Sequence, residues 1–224
     1  MFLSGEQIYD LLIQNKITES RGKINFEFLD VSVNIQEKSA IGDLFQEWFA
    51  RWTESNQIEY RTSANTQEFP DFFLNSQSNK QNLLEIKTFD FNRSANFDVA
   101  NFEAYCHSIT TKAYRLNADY LIFAYTLDKG DFSIKKLWRK KIWEITGNSD
   151  KYPVKCQTKK DVIYNIRPIT WYSTRATFQP FNNRQEFVEA LYQTLMQYPK
   201  TKNSSKDWLK QVTQNYLSHT GERL

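Results

Sequence analysis

Tyr120-Leu121-Ile122-Phe123-Ala124-Tyr125 is a near-continuous apolar run. It is far too short to span a membrane and too unbroken for a strand with one wet face, so it predicts a central strand buried on both sides. A strand of that kind needs a covering layer above and below it, and helices are the usual solution. The chain supplies them. Ile41, Leu44, Phe45, Trp48, Phe49 and Trp52 recur as one apolar stripe, with Asp43, Gln46 and Glu47 off it, which predicts a strong amphipathic helix beginning at Ser39. Ser4-Gly5-Glu6-Gln7 has the form of a capping box, and Ile8, Leu11 and Leu12 follow at helical spacing, predicting a first helix to about Asn15.

Strand patterns fill the intervals. Ile24, Phe26 and Phe28 alternate with polar residues and predict a half-buried strand. Short apolar runs at 58–61, 71–74 and 83–87 are separated by polar turns such as Asn75-Ser76-Gln77-Ser78-Asn79. A helix is expected from about Asp98 to Arg115, carrying Val99, Phe102, Cys106 and Ile109, and two more near 185–197 and 207–217. Strand, strand, helix, strand in this order predicts an α/β fold, a mixed β-sheet flanked by helices. No repeat or long linker divides the chain, so residues 1–224 are expected to form a single domain.

Composition narrows the function. The 224 residues carry a net charge of only +3, yet residues 129–167 hold eleven Lys and Arg against four Asp and Glu. A local surplus of +7 suits contact with phosphates, and Lys140 and Lys141 are the candidates taken from it. Six glycines argue against a Gly-rich nucleotide loop. Two cysteines, Cys106 and Cys156, and two histidines, His107 and His219, exclude a disulfide framework, a four-thiolate zinc site and a His-rich metal site. The N-terminus lacks a basic stretch followed by an apolar core, and no apolar run approaches membrane length. The expectation is a cytoplasmic protein with no membrane contact.

One constellation carries chemistry. Phe69-Pro70-Asp71 opens one short strand and Glu85-Ile86-Lys87 closes the next. Residues i and i+2 of a strand share a face, so Glu85 and Lys87 project together. A hairpin through the polar turn at 75–82 would bring Asp71 to the same end. Two carboxylates beside an amine suit Mg²⁺, a hard cation that takes oxygen ligands and substrate phosphate oxygens. Asp71 and Glu85 would be the metal ligands, and Lys87 would meet the attacking water or the scissile phosphate.

This order of helix, Pro-Asp strand, Glu-x-Lys strand, long helix and buried strand resembles the PD-(D/E)xK nucleases, and among them the type II restriction endonucleases. Longer stretches are similar to the NgoBV/NlaIV group: Ser39-Ala40-Ile41-Gly42, Thr66-Gln67-Glu68-Phe69-Pro70-Asp71-Phe72-Phe73-Leu74, Leu84-Glu85-Ile86-Lys87-Thr88-Phe89 and Ala95-Asn96-Phe97-Asp98-Val99-Ala100-Asn101-Phe102. The resemblance implies a restriction-endonuclease-like core at about 35–128, a basic DNA-contacting segment at about 129–183 and C-terminal helices at 184–224. It implies Mg²⁺-dependent cleavage of double-stranded DNA leaving 5′-phosphates, by a homodimer, with GGNNCC as the associated site. It carries the roles of metal ligand to Asp71 and Glu85 and of catalytic lysine to Lys87. Many members add an acidic residue from the upstream helix; Glu47 is the preferred counterpart here, while a register set on Gly42 and Trp48 would place Gln46 there.

For reading bases, Arg175, at the end of Trp171-Tyr172-Ser173-Thr174-Arg175, suits a recognition loop that reaches guanine in the major groove. Arg167 is a second candidate, and Gln67, in the loop before Asp71, could reach the minor groove. Two rival readings stand beside the restriction enzyme. One is a repair nickase or junction resolvase on the same scaffold. The other is a non-catalytic DNA-binding module whose carboxylates only cap strands.

Overall fold

The computed structural model describes residues 1–35, 38, 40–63 and 68–224. Its elements in chain order are α1 (Gly5–Gln14), β1 (Gly22–Lys23), β2 (Asn25–Phe28), β3 (Val31–Asn34), α2 (Ile41–Ser55), β4 (Phe72–Phe73), β5 (Leu83–Asp90) and β6 (Ala100–Asn101). There follow α3 (Phe102–Ile109), β7 (Asp119–Asp128), β8 (Asp131–Lys140), β9 (Cys156–Lys159), β10 (Val162–Ile166), α4 (Arg184–Gln197) and α5 (Trp208–Thr220). They divide into two compact units, one of residues 1–95 and 119–140, the other of residues 96–118 and 141–224. No helix among the described residues is long and apolar enough to cross a membrane.

The first unit is built on a five-stranded sheet in the order β1-β8-β7-β5-β4. β5 and β7 run parallel and the other pairs antiparallel, so the sheet is mixed as expected. The apolar run of β7 lies at its middle, with residues 120–125 all buried. Ile41, Phe45, Phe49 and Thr53, one per turn, form the buried face of α2. Phe45 meets Phe123 of β7 with ring centroids 4.5 Å apart, and Phe49 meets Phe72 of β4 at 5.0 Å. α1 starts where the capping box placed it: the Ser4 hydroxyl accepts from Gln7 N–H and the Gln7 side chain accepts from Ser4 N–H.

The β7–β8 turn passes through Lys129 and Gly130, both at positive φ. Glycine is required at the second position, because a Cβ there would come within 2.7 Å of the Asn34 side chain. β2 and β3 form a hairpin turned at Leu29 and Asp30, also both at positive φ. Here an expectation is corrected. The Phe26–Phe28 alternation does form a strand, but every residue of β2 and β3 is exposed rather than half-buried.

The second unit has a three-stranded antiparallel sheet, β6-β10-β9, with α3, α4 and α5. Phe102, Ile109, Leu116, Ile166, Phe187, Val188, Leu191, Val212 and Tyr216 are among its buried side chains. Trp208 donates its indole N–H to the Cys106 carbonyl at 2.7 Å, and Arg184 lies over the rings of Trp143 and Tyr216. The helix expected from Asp98 to Arg115 is shorter. Asn101 accepts from Ala104 N–H and so starts the helix at Phe102, while the Thr110 hydroxyl bonds back to His107 and closes it. A 3₁₀ turn at Ala113–Asn117 follows. The strand expected at 58–61 reduces to one bridge, Arg61 to Phe73.

Candidate active site

The antiparallel register of β4 on β5 sets Phe72 opposite Leu84 and Phe73 opposite Leu83. Continued by one residue, the same register puts Asp71 opposite Glu85. Ile86 lies beyond the two ladder pairs of β4, and its N–H donates to a side chain instead, Asp71 Oδ2 at 2.7 Å. In return the Asp71 N–H donates to Glu85 Oε2 at 3.2 Å. The other Glu85 oxygen, Oε1, receives the Lys87 ammonium at 2.8 Å. The structure thus brings Asp71, Glu85 and Lys87 together, as the strand pattern anticipated.

α2 contributes the next group. Its buried stripe runs through Phe45 and Phe49, and the residue one step after Phe45 is turned toward β4: Gln46 donates to Asp71 Oδ1 at 3.1 Å. Glu47 lies a further 100° round the helix and is largely exposed, 3.9 Å from Arg51. Of the two residues considered on α2, Gln46 therefore touches Asp71, while Glu47 lines the mouth of the same cleft. That cleft, of about 490 Å³, is also lined by Asp43, Glu68 and Asp71. Asp43 was not singled out from the sequence; its position three residues before Gln46, on the same side of the helix, was the available signal.

Electrostatics at the site favour a cation. Burial and the neighbouring Glu85 charge push the Asp71 carboxyl up to about 7, against the opposing pull of Lys87 and the Ile86 N–H. Among the described residues no cluster of three or more His, Cys, Asp or Glu side chains could hold a metal ion. Asp71 and Glu85 are the two carboxylates that meet here, and a pair of hard oxygen donors would suit a divalent cation such as Mg²⁺, which keeps several waters.

The raised Asp71 pKa has a sign that can be checked. A carboxyl at 3.8 in the unfolded chain and about 7 in the folded one binds more protons when folded across that interval. Stability contributed by this group therefore falls as pH rises from about 4 to about 7 and is level above. Melting curves without divalent metal should show Asp71→Asn losing that part of the decline. A variant curve parallel to the parent's throughout would contradict the shift.

The DNA-contact candidates are placed unevenly. Arg175 is exposed on an irregular loop and lines a hollow that also includes Lys155, Ser173 and Phe178. Arg167 does not present an open guanidinium: it pairs with Asp98 at 2.9 Å and donates to the carbonyl and side chain of Asn96, which ties it into its own unit. Lys141 donates to the Asn117 carbonyl at 2.6 Å and so closes the 3₁₀ turn. Lys140 ends β8 and is half-buried. Gln67 lies outside the described residues. The basic surplus at 129–167 is thus partly structural, since Arg139 is also held by Asp119 and Glu6, and Lys151 by Asp161.

A mixed sheet flanked by helices, with an aspartate opposite a Glu-x-Lys strand, defines a nuclease of the restriction-endonuclease fold. The solved structure of the NlaIV restriction endonuclease superposes on the whole chain and on 92% of its own length, with TM-score 0.95 and 37% identity. In sequence the chain is 40% identical over 220 residues to the type II restriction enzyme NlaIV of Neisseria lactamica, covering 97% of this chain and 90% of that enzyme. It is 36% identical over 163 residues to the type II restriction enzyme NgoBV of Neisseria gonorrhoeae, covering 70% and 91% respectively. The family model of the NgoBV restriction endonuclease matches residues 2–224, through both units. The chain belongs to the NgoBV restriction endonuclease family, and is with it a type II site-specific deoxyribonuclease.

Proposed function

We propose that Asp71, Glu85 and Lys87 are the hydrolytic centre of this endonuclease and that Asp71 and Glu85 hold Mg²⁺ there. What carries the reading is the convergence of the buried Glu85 carboxylate, the half-buried Asp71 carboxylate and one ammonium where β4 begins beside β5, with Asp71 raised to about 7 in the absence of a cation. Bound at this pair, the dication supplies charge stabilisation at the phosphate and a water of lowered pKa. The chain's own groups do the rest. Gln46 and the Ile86 N–H each take one Asp71 oxygen and fix the plane of its carboxylate. Glu85 holds the Lys87 ammonium, which then offsets charge gathering on the scissile phosphate or orients the attacking water. Glu47, at the cleft mouth, adds an acidic group.

The finer reading follows the family resemblance. The enzyme acts in the cytoplasm as a homodimer on double-stranded DNA at GGNNCC and leaves 5′-phosphates. The two units serve one endonuclease. Arg175, Lys140 and Gln67 contact the DNA, while the internal pairing of Arg167 and Lys141 favours a supporting role for those two. Digestion of a plasmid of known sequence, with Mg²⁺ and with chelator, tests this directly. The expected result is a discrete fragment pattern only with Mg²⁺, with ends that map to GGNNCC and carry 5′-phosphate. Metal-independent cutting would overturn the metal assignment. Nicks without double-strand breaks would favour a repair enzyme.

A further inference from the structure

The β2–β3 hairpin is built inside out for a monomer. Its register pairs Phe26 with Val33 and Phe28 with Val31, so these four apolar side chains share one face. Asn25, Glu27, Ser32 and Asn34 share the other. The polar face is the one turned to the rest of the unit: Asn34 donates to the Lys129 carbonyl at 3.5 Å and lies against Gly130. The apolar face is left to water, with Phe26 57%, Phe28 64%, Val31 61% and Val33 50% exposed, and the two phenylalanine rings stack at 6.4 Å. A lone two-stranded hairpin is marginal in water, and an apolar patch on it marks an interface.

We infer that this face is where a second copy of the chain docks. The location rests on the homodimer reading above. Three features commit it to a second copy. Cutting both strands of a duplex in one encounter takes two hydrolytic centres, whereas each chain carries one Asp71–Glu85–Lys87 set. A two-fold contact needs a self-complementary patch, and four apolar side chains without a charge meet their own copy without penalty. The area also fits. Taking ~200 Å² for a whole phenylalanine, the hairpin face and Leu29 at its tip expose on the order of 500 Å². Leu44 and Trp48 of α2 are themselves part-exposed and share a hollow of about 370 Å³ with Ile24 and Asn25 at the hairpin's base. The apolar face by itself thus offers more than half of the roughly 800 Å² each partner buries in a standard interface. DNA is a poor occupant, since phosphate contact needs donors that this face lacks.

Sedimentation of the 224-residue chain at micromolar concentration tests the assignment. The parent protein should sediment at twice the chain mass. The pair Phe28→Asp and Val31→Asp should sediment as a monomer, with its dimer weakened at least 100-fold and its circular dichroism unchanged. A dimeric parent whose variant stays dimeric overturns the docking face and leaves the homodimer reading standing. A monomeric parent overturns both. Because the variant could fail to fold, hydrogen exchange on the parent gives an independent reading: amides at 25–34 should gain protection as concentration rises through the dimer range. No gain, or a gain only when duplex DNA is added to monomer, overturns the proposal.

Discussion

Lys87→Ala should lower DNA cleavage by about 10³-fold while duplex binding stays within about twofold. The ammonium lies against Glu85 in a mostly buried position, where a charge acts on a developing phosphate charge with little solvent screening. Binding draws instead on phosphate and base contacts spread along the duplex, so losing one buried lysine leaves it nearly intact. Asp71→Asn should be as inactive, because an amide cannot replace an anionic ligand, yet it should melt no lower than the parent at pH 7. That follows from the Asp71 pKa: near neutrality its ionised form costs stability that the amide does not. Single-turnover cleavage, binding by fluorescence anisotropy and thermal melting separate the terms. Cleavage within tenfold of the parent in either variant would remove the residue from the hydrolytic centre. Inactivity accompanied by collapse of melting would indicate a structural role only.

Phe123→Ala should destabilise the protein by about 3–5 kcal/mol, a large share of the 5–15 kcal/mol typical of a folded domain. Phe123 is fully buried on the central strand and its ring packs on Phe45 of α2. Removing it opens a cavity between the sheet and the helix that carries Gln46, and close-packed neighbours can refill such a space only partly. Urea unfolding monitored by fluorescence should give a lower midpoint with an unchanged slope. A loss under 1 kcal/mol would mean that α2 is not anchored through this contact. Because α2 positions Gln46 on Asp71, cleavage should also fall at temperatures well below the new melting point.

Periodicity makes several elements readable from the sequence alone. The β7 run and the α2 stripe each bury one continuous surface, and a local pattern is enough when burial is that complete. The α1 capping box was equally legible, since its hydrogen bonds lie within four residues. Asp71, Glu85 and Lys87 could be grouped because strand period and a hairpin turn are both short-range rules. Elements governed by side-chain bonds were harder. The helix expected from Asp98 starts at Phe102 because Asn101 caps it, and 58–61 keeps one bridge because β4 offers only two ladder residues.

Other features turned on distant partners. Residue types cannot say that Arg167 meets Asp98 and Asn96, or that Lys141 meets the Asn117 carbonyl, 24 residues away. The choice between Gln46 and Glu47 depended on a 100° step of one helix against one strand, which alternation within α2 alone leaves open. The β2–β3 hairpin is the clearest case. Its alternation specified a strand with one apolar face, because a period of two follows from local backbone geometry. Whether that face points inward or to water was settled only by what Asn34 and Gly130 dock against, a contact between segments almost a hundred residues apart. Local geometry is written in neighbouring residues; the direction in which a face is turned depends on long-range packing.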